Sequence, residues 1–171
     1  MIRSIALVSS ISILVLLFVA FFCGIRLTIQ ASNSMPKGLY LVFANHEPAE
    51  HITYQRGEVV VFSPPSSILP FLKARHWISK NDWMMKKVMG VPGDLVCLKE
   101  HIVWINGNPV GSVLDQDREH RALPQLKFCR KLSQDEYFAM SNYIEHSFDS
   151  RYFGVIPSSS IIGKAFPLWI S

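Results

Sequence analysis

The chain has 171 residues, of which 49% are hydrophobic and 18% charged. This composition is too apolar for a disordered chain, and the length suits one compact domain. Lys and Arg number 17 against 13 Asp and Glu, a formal charge of +4, and they form no basic stripe interleaved with aromatic residues. We therefore expect no nucleic-acid partner. The 6 His and 3 Cys show no metal-ligand spacing, so neither a metal nor another cofactor is expected.

The N-terminal segment is the most apolar part of the chain. Residues 4–25 carry no charge and are bracketed by Arg3 and Arg26. As a helix they would extend about 33 Å, enough to cross a bilayer. The run is longer than the roughly 7–15 residues of a cleavable signal peptide's apolar region. We predict an uncleaved membrane anchor at residues 1–26, followed by a folded domain at residues 27–171.

The domain is predicted to be mainly β. Short apolar runs rich in β-forming residues, bounded by Gly, Pro or Asp, predict strands. These runs lie at residues 38–43, 58–62, 84–91, 95–98, 101–105 and 161–170. Asn106-Gly107 predicts a turn before a short strand at Pro109-Val110. Residues 133–141 have a cap-like start and predict a helix, and residues 63–83 are interpreted as an irregular surface insertion.

Two segments carry residues suited to nucleophilic chemistry. Residues 32–40 read SNSMPKGLY, which taken alone is ordinary turn material. In the run 84–91 (MMKKVMGV), strand alternation places Met84, Lys86 and Val88 on one face. Burial can lower a lysine pKa by roughly 3–5 units, which leaves a neutral amine able to take a proton from a serine. Without a partner serine, such a lysine would simply pack its stem on the apolar neighbours.

A third segment, residues 147–154, reads SFDSRYFG. Asp149 and Arg151 are two residues apart, a spacing that puts them on one face of a strand, where either could pair with a group elsewhere. Read alone, the segment is a turn with a surface ion pair.

The three segments together resemble the serine–lysine (type I) signal peptidases. The patterns SMP-x-G-x-Y, KK-x-x-G-x-PGD and S-x-DSRY-x-G occur in the linear order of that family's motifs. The Ser-x-Pro spacing and the small size are most similar to the TraF-type conjugative transfer peptidases. General preprotein peptidases usually have one more residue before the proline, which disfavours a housekeeping role. The resemblance implies a mostly antiparallel β fold.

The resemblance also implies roles for individual residues. Ser34 would be the nucleophile and Lys86 the general base, with Ser32 and the Ser34 N–H forming the oxyanion hole. Ser147 would orient the lysine, and Asp149 and Arg151 would form a structural pair that supports the site. Lys87 is given no catalytic role.

The function implied is that of a membrane-anchored serine endopeptidase. Its expected substrate is a membrane-associated precursor, a conjugative pilin, from which it removes a leader or C-terminal segment, with or without peptide cyclisation. The expected location is the bacterial inner membrane, with a single span and the catalytic domain on the periplasmic side. The lipid bilayer and the conjugative transfer machinery are the other expected partners.

Three questions stay open at this level. The chain could be a catalytically silent scaffold of a pilus or secretion assembly, or a general type I signal peptidase. Ser34 and Lys37 also fit the S-x-x-K spacing of penicillin-binding proteins, although Pro36 and Gly38 disfavour the helix which that motif needs. Cys97 and Cys129 could form a disulfide or remain free thiols.

Overall fold

The structure is a computed structural model that describes residues 24–45, 52–78 and 83–170. Most of the predicted anchor, residues 1–23, lies outside the described residues. Its predicted end at residue 26 is wrong, because Ile25 and Arg26 are the first residues of a strand that pairs within the folded domain. Within these three ranges, no helix combines the length and the apolar character needed to cross a bilayer.

The fold is built on two antiparallel sheets, which confirms the prediction of a mainly β chain. The larger sheet has seven strands in the order β1-β2-β11-β3-β4-β9-β10. These strands are β1 (Ile25–Gln30), β2 (Gly38–Ala44), β3 (Val59–Phe62), β4 (Met84–Gly90), β9 (Glu136–Met140), β10 (Ile156–Pro157) and β11 (Ile161–Ile170). Every neighbouring pair in this sheet is antiparallel.

The smaller sheet has four strands in the order β7-β6-β5-β8. They are β5 (Leu95–Lys99), β6 (Ile102–Ile105), β7 (Asn108–Ser112) and β8 (Phe128–Lys131). Pro109 lies in β7, an edge strand, which is the position in a sheet where proline is tolerated. A disulfide joins Cys97 of β5 to Cys129, which lies directly opposite on β8. The question that the sequence left open is thereby answered in favour of the disulfide.

Two short helices complete the described elements, α1 (Leu69–Ala74) and α2 (Ser150–Phe153). They pack against a core that joins the smaller sheet to β9, in which Val96, Val103 and Phe138 are completely buried. Separate apolar clusters cover the two faces of the larger sheet: Val60 belongs to one and the adjacent Val61 to the other. The core therefore fixes the position of β4 and its neighbours from both sides.

The structure corrects two local predictions. The helix expected at residues 133–141 is wrong, because residues 136–140 form β9, paired between β4 and β10. The cap-like start is real, since the Ser133 N–H donates to the Glu136 carboxylate at 2.8 Å, but it closes a turn instead of starting a helix. Within the segment predicted to be irregular, residues 66–74 form a 3-10 turn followed by α1.

The G-x-PGD part of the second motif shapes the end of β4. Gly90 lies against β9 so closely that a Cβ atom there would be 2.9 Å from the Phe138 Cβ. The next turn contains Gly93, whose positive φ of 86° favours glycine. The Asp94 carboxylate accepts hydrogen bonds from the Val91 N–H and the Asn106 side chain, each at 2.7 Å. These contacts hold the end of the strand that carries the two lysines.

Candidate active site

Ser34 lies in the turn that joins β1 to β2. The neighbouring Met35 is buried among Tyr40 and Val42, so it anchors the turn to the sheet. The Tyr40 hydroxyl donates to the Pro36 carbonyl at 2.9 Å, which closes the other side of the turn. The first motif therefore encodes a short turn that is fastened at two points and presents its serines at the surface.

Lys86 lies in β4, an interior strand with β3 on one side and β9 on the other. Its side chain is only 4% exposed, on the face that alternation predicted. Burial lowers the pKa of Lys86 to about 8; the Asp149 charge raises this pKa and the Arg151 charge lowers it. At this pKa a substantial fraction of the amine is neutral near physiological pH, as a general base requires.

Asp149 and Arg151 form a buried ion pair next to the lysine. Arg151 donates from Nε and Nη2 to the two Asp149 oxygens at 2.8 and 2.9 Å. Two further N–H groups of Arg151 donate to the carbonyls of Ser112 and Ser147, each at 2.9 Å. The pair does not lie on a strand, as the spacing suggested, because Asp149 is the N-cap of α2. It is also completely internal, in contrast to the surface pair which the segment suggests when read alone.

A cleft of about 400 Å³ brings the predicted side chains together. Ser32, Ser34, Lys86 and Ser147 all line it, although they come from three distant parts of the chain. Asp149 and Arg151 do not line this cleft, but their charges act on Lys86. The three motifs therefore converge on one site.

The side chains that line the cleft make fewer hydrogen bonds with one another than the buried Asp149–Arg151 pair makes with its surroundings. Among the residues that the structure describes, no hydrogen bond joins Lys86 to Ser34 or to Ser147. The Ser147 hydroxyl is buried and without a partner there. Catalytic hydrogen bonds are often long without substrate and shorten when it binds, so the arrangement is compatible with a serine–lysine site.

One polar contact of the serine turn could not be predicted from the motifs. Gln30, the last residue of β1, donates from Nε2 to Ser32 Oγ at 2.6 Å. Ser32 Oγ in turn lies 2.9 Å from Ser34 Oγ. No motif signalled Gln30, because it lies before the first patterned segment.

The walls of the cleft were also not predicted. The segment around α1 contributes Leu72, His76 and Trp77. A charged loop, residues 117–121, forms another wall and is tied to the α1 segment by Arg75, whose Nη1 donates to Asp117 at 3.0 Å. The only sequence signal was the high density of charge in that loop.

The two other candidate lysines are placed differently. Lys37 is exposed and is not among the residues that line the cleft, so the structure favours Lys86 over the S-x-x-K alternative. Lys87 points to the opposite side of β4 from Lys86 and does not line the cleft either.

A serine and a lysine of lowered pKa in one cleft are the groups that serine–lysine hydrolases use. The family described as "Signal peptidase, peptidase S26" matches residues 1–170. The chain belongs to this family, which is a family of serine proteases.

Individual relatives come from two groups. The plasmid transfer protein TraF of Escherichia coli is 30% identical over 159 residues, covering 87% of this chain and 85% of that protein. The conjugal transfer protein TraF of Agrobacterium fabrum is 30% identical, with 82% and 81% covered. The probable signal peptidase I-2 of Synechocystis sp. is 32% identical over 113 residues, 66% of this chain. The chain spans only about half the length of that relative, 46%.

A solved signal peptidase I from Enterococcus faecalis V583 shares 21% identity with the chain. The match covers 66% of this chain and 97% of that chain, with a TM-score of 0.40. This score is too low to establish a common fold by itself.

Proposed function

We propose that the chain is a membrane-anchored serine endopeptidase in which Ser34 is the nucleophile and Lys86 the general base. One observation carries the proposal: Lys86 is buried, its pKa is lowered to about 8, and it lines the same cleft as Ser34. A serine hydroxyl is a weak nucleophile until a base removes its proton, and a largely desolvated amine can do so.

The proposed reaction proceeds through an acyl-enzyme. Ser34 Oγ attacks the scissile carbonyl carbon while its proton passes to Lys86 Nζ. The Ser32 hydroxyl and the Ser34 N–H stabilise the oxyanion, and Ser147 orients the amine. Lys86 then gives its proton to the leaving amine as the peptide bond breaks. Water, or an amine of the substrate if the product is cyclic, then attacks the ester carbonyl carbon and gives its proton to Lys86. Lys86 returns this proton to Ser34 Oγ as the ester C–O bond breaks, which restores both side chains.

The proposed substrate is the precursor of a conjugative pilin. The names of the two TraF relatives support a role in plasmid transfer, and both relatives are covered over more than four fifths of their length. The apolar residues that precede β1 support a single-span anchor in the bacterial inner membrane, with the folded domain from β1 onward forming the periplasmic catalytic part. Only a few residues separate Arg26 from Ser34, so a cleavage site close to the bilayer would be within reach. The conjugative transfer machinery is the proposed further partner.

The test is co-expression of the full chain with the candidate pilin precursor, followed by mass spectrometry of the product. The wild-type chain should yield a shortened pilin, and Ser34→Ala should leave the precursor intact. Lys37→Ala serves as the control, because Lys37 is exposed and does not line the cleft. Equal processing by wild type and Ser34→Ala would establish the scaffold alternative. A product lighter by one water than the linear form would identify cyclisation.

A further inference from the structure

The side-chain amide of Gln30 is oriented by two contacts with one residue. Its Nε2 atom lies 2.6 Å from Ser32 Oγ and 3.1 Å from the Ser32 carbonyl oxygen. A carbonyl oxygen can only accept hydrogen bonds, so the group that faces it must be the NH₂ end of the amide. Gln30 therefore acts as a donor to both atoms, and Ser32 Oγ accepts.

This polarity excludes Gln30 as the acceptor of the Ser32 hydrogen. A serine hydroxyl has a single hydrogen, and Gln30 offers no acceptor at this contact. Among the residues that the structure describes, Ser32 Oγ has a second hydrogen-bonding neighbour, Ser34 Oγ, at 2.9 Å. Either oxygen could be the donor in this contact. The arrangement that leaves the Ser34 hydrogen free to pass to a base is the one in which Ser32 donates to Ser34 Oγ.

We propose that Gln30 is a positioning residue, which acts through Ser32 on the reaction of Ser34. The inference rests on the proposed function, because the Ser32 hydroxyl that Gln30 holds beside Ser34 is the group that would donate to the oxyanion once Ser34 has attacked. Accepting a hydrogen bond from Gln30 also polarises the Ser32 hydroxyl and makes it a better donor. The chain of contacts runs from the end of β1, a regular strand, into a turn that is otherwise exposed.

The test compares Gln30→Glu with wild type in a kinetic assay of the full chain on a peptide that spans the pilin cleavage site. A carboxylate of the same shape accepts the Ser32 hydrogen and turns it away from Ser34. We expect kcat to fall by about 10- to 100-fold with KM nearly unchanged, less than the roughly 10²–10³ typical of losing an oxyanion donor. The decisive measurement repeats Gln30→Glu in a Ser32→Ala background, where less than a twofold effect is expected.

Gln134→Glu is the matched control, since Gln134 is exposed in the turn before β9 and gains the same charge. It should keep wild-type kinetics, and urea unfolding should show Gln30→Glu to be folded. The inference is overturned if Gln30→Glu matches wild type, or if it loses the same factor with and without the Ser32 hydroxyl. An inactive wild-type chain would instead refute the proposed function, so the two failures are distinguishable.

Discussion

The two halves of the proposed dyad are held in opposite ways. Ser34 belongs to an exposed turn which is fastened by Met35 and the Tyr40 hydroxyl. Lys86 lies in an interior strand, almost fully buried, beside an ion pair that is itself internal. Turns with few buried contacts move at low energetic cost, and paired core strands do not. Because no hydrogen bond joins the two side chains in the described part of the chain, any closing movement on substrate binding falls to the serine turn.

The largest expected effect tests the two sides of β4 against each other. Lys86→Met should lower kcat by at least about 10⁴-fold, as the loss of one member of a nucleophile–base unit does. Lys87→Met is the matched control, because it makes the same change at the next residue, which does not line the cleft. Its kcat should stay within a few-fold of wild type. Single-turnover kinetics on a leader peptide measures both variants. Similar losses in both variants would contradict the assignment of Lys86.

The second prediction concerns the buried ion pair beside Lys86. Arg151→Met leaves the Asp149 carboxylate buried without its partner, and we expect the free energy of unfolding to fall by about 3–5 kcal/mol. Arg130→Met is the control, since Arg130 forms a partly exposed pair with Glu136. Its cost should not exceed about 1 kcal/mol. Urea unfolding measures both, and an equal cost would show that the buried pair is not a structural support.

The third prediction separates the site from the smaller sheet. Replacing both Cys97 and Cys129 by Ala opens a loop with a sequence separation of 32 residues. Loop-closure entropy then predicts a loss of about 2–4 kcal/mol in the free energy of unfolding. Lys86 lies on the larger sheet and Ser34 in the turn between two of its strands, so the pH dependence of kcat should be unchanged. A shifted pH profile would indicate that the smaller sheet also sets the environment of Lys86.

The difference between the two regions also explains what the sequence could predict. Alternation along β4 places Lys86 and Lys87 on opposite faces, and the structure agrees, since Lys86 lines the cleft and Lys87 does not. The sequence could not show whether residues 136–140 form a helix or a strand. The strand is buried on both faces, so it lacks the alternation that marks a half-buried strand, and the Ser133–Glu136 contact that precedes it resembles a helix cap. That choice depends on pairing with β4 and β10, which are distant in sequence.

The prediction that the site residues lie close together had a different basis from the strand predictions. Nothing in local periodicity brings Ser34, Lys86 and Ser147 together; the family resemblance alone suggested it. The roles of these residues remain predictions, although the cleft places their side chains in one location. Gln30 and the charged loop at residues 117–121 could not be inferred, since their contacts depend on how turns fold over the sheet.

The smallest expected effect is the pH dependence of activity. It sharpens the comparison because, of the two proposed dyad residues, only Lys86 titrates near neutral pH. The pKa of Lys86 is lowered to about 8, so kcat/KM should rise about tenfold per pH unit below 8 and level off above it.

The free energy of unfolding should depend on the protonation of the same lysine. Between pH 8 and the unfolded value of 10.5, the unfolded chain binds more protons at this lysine than the folded chain. Raising the pH through this window should therefore stabilise wild type relative to Lys86→Met, because the cost of burying a charged amine disappears. Urea unfolding of both proteins at pH 7 and above 10 measures the difference, and a profile that is the same in the two would place the titrating group elsewhere.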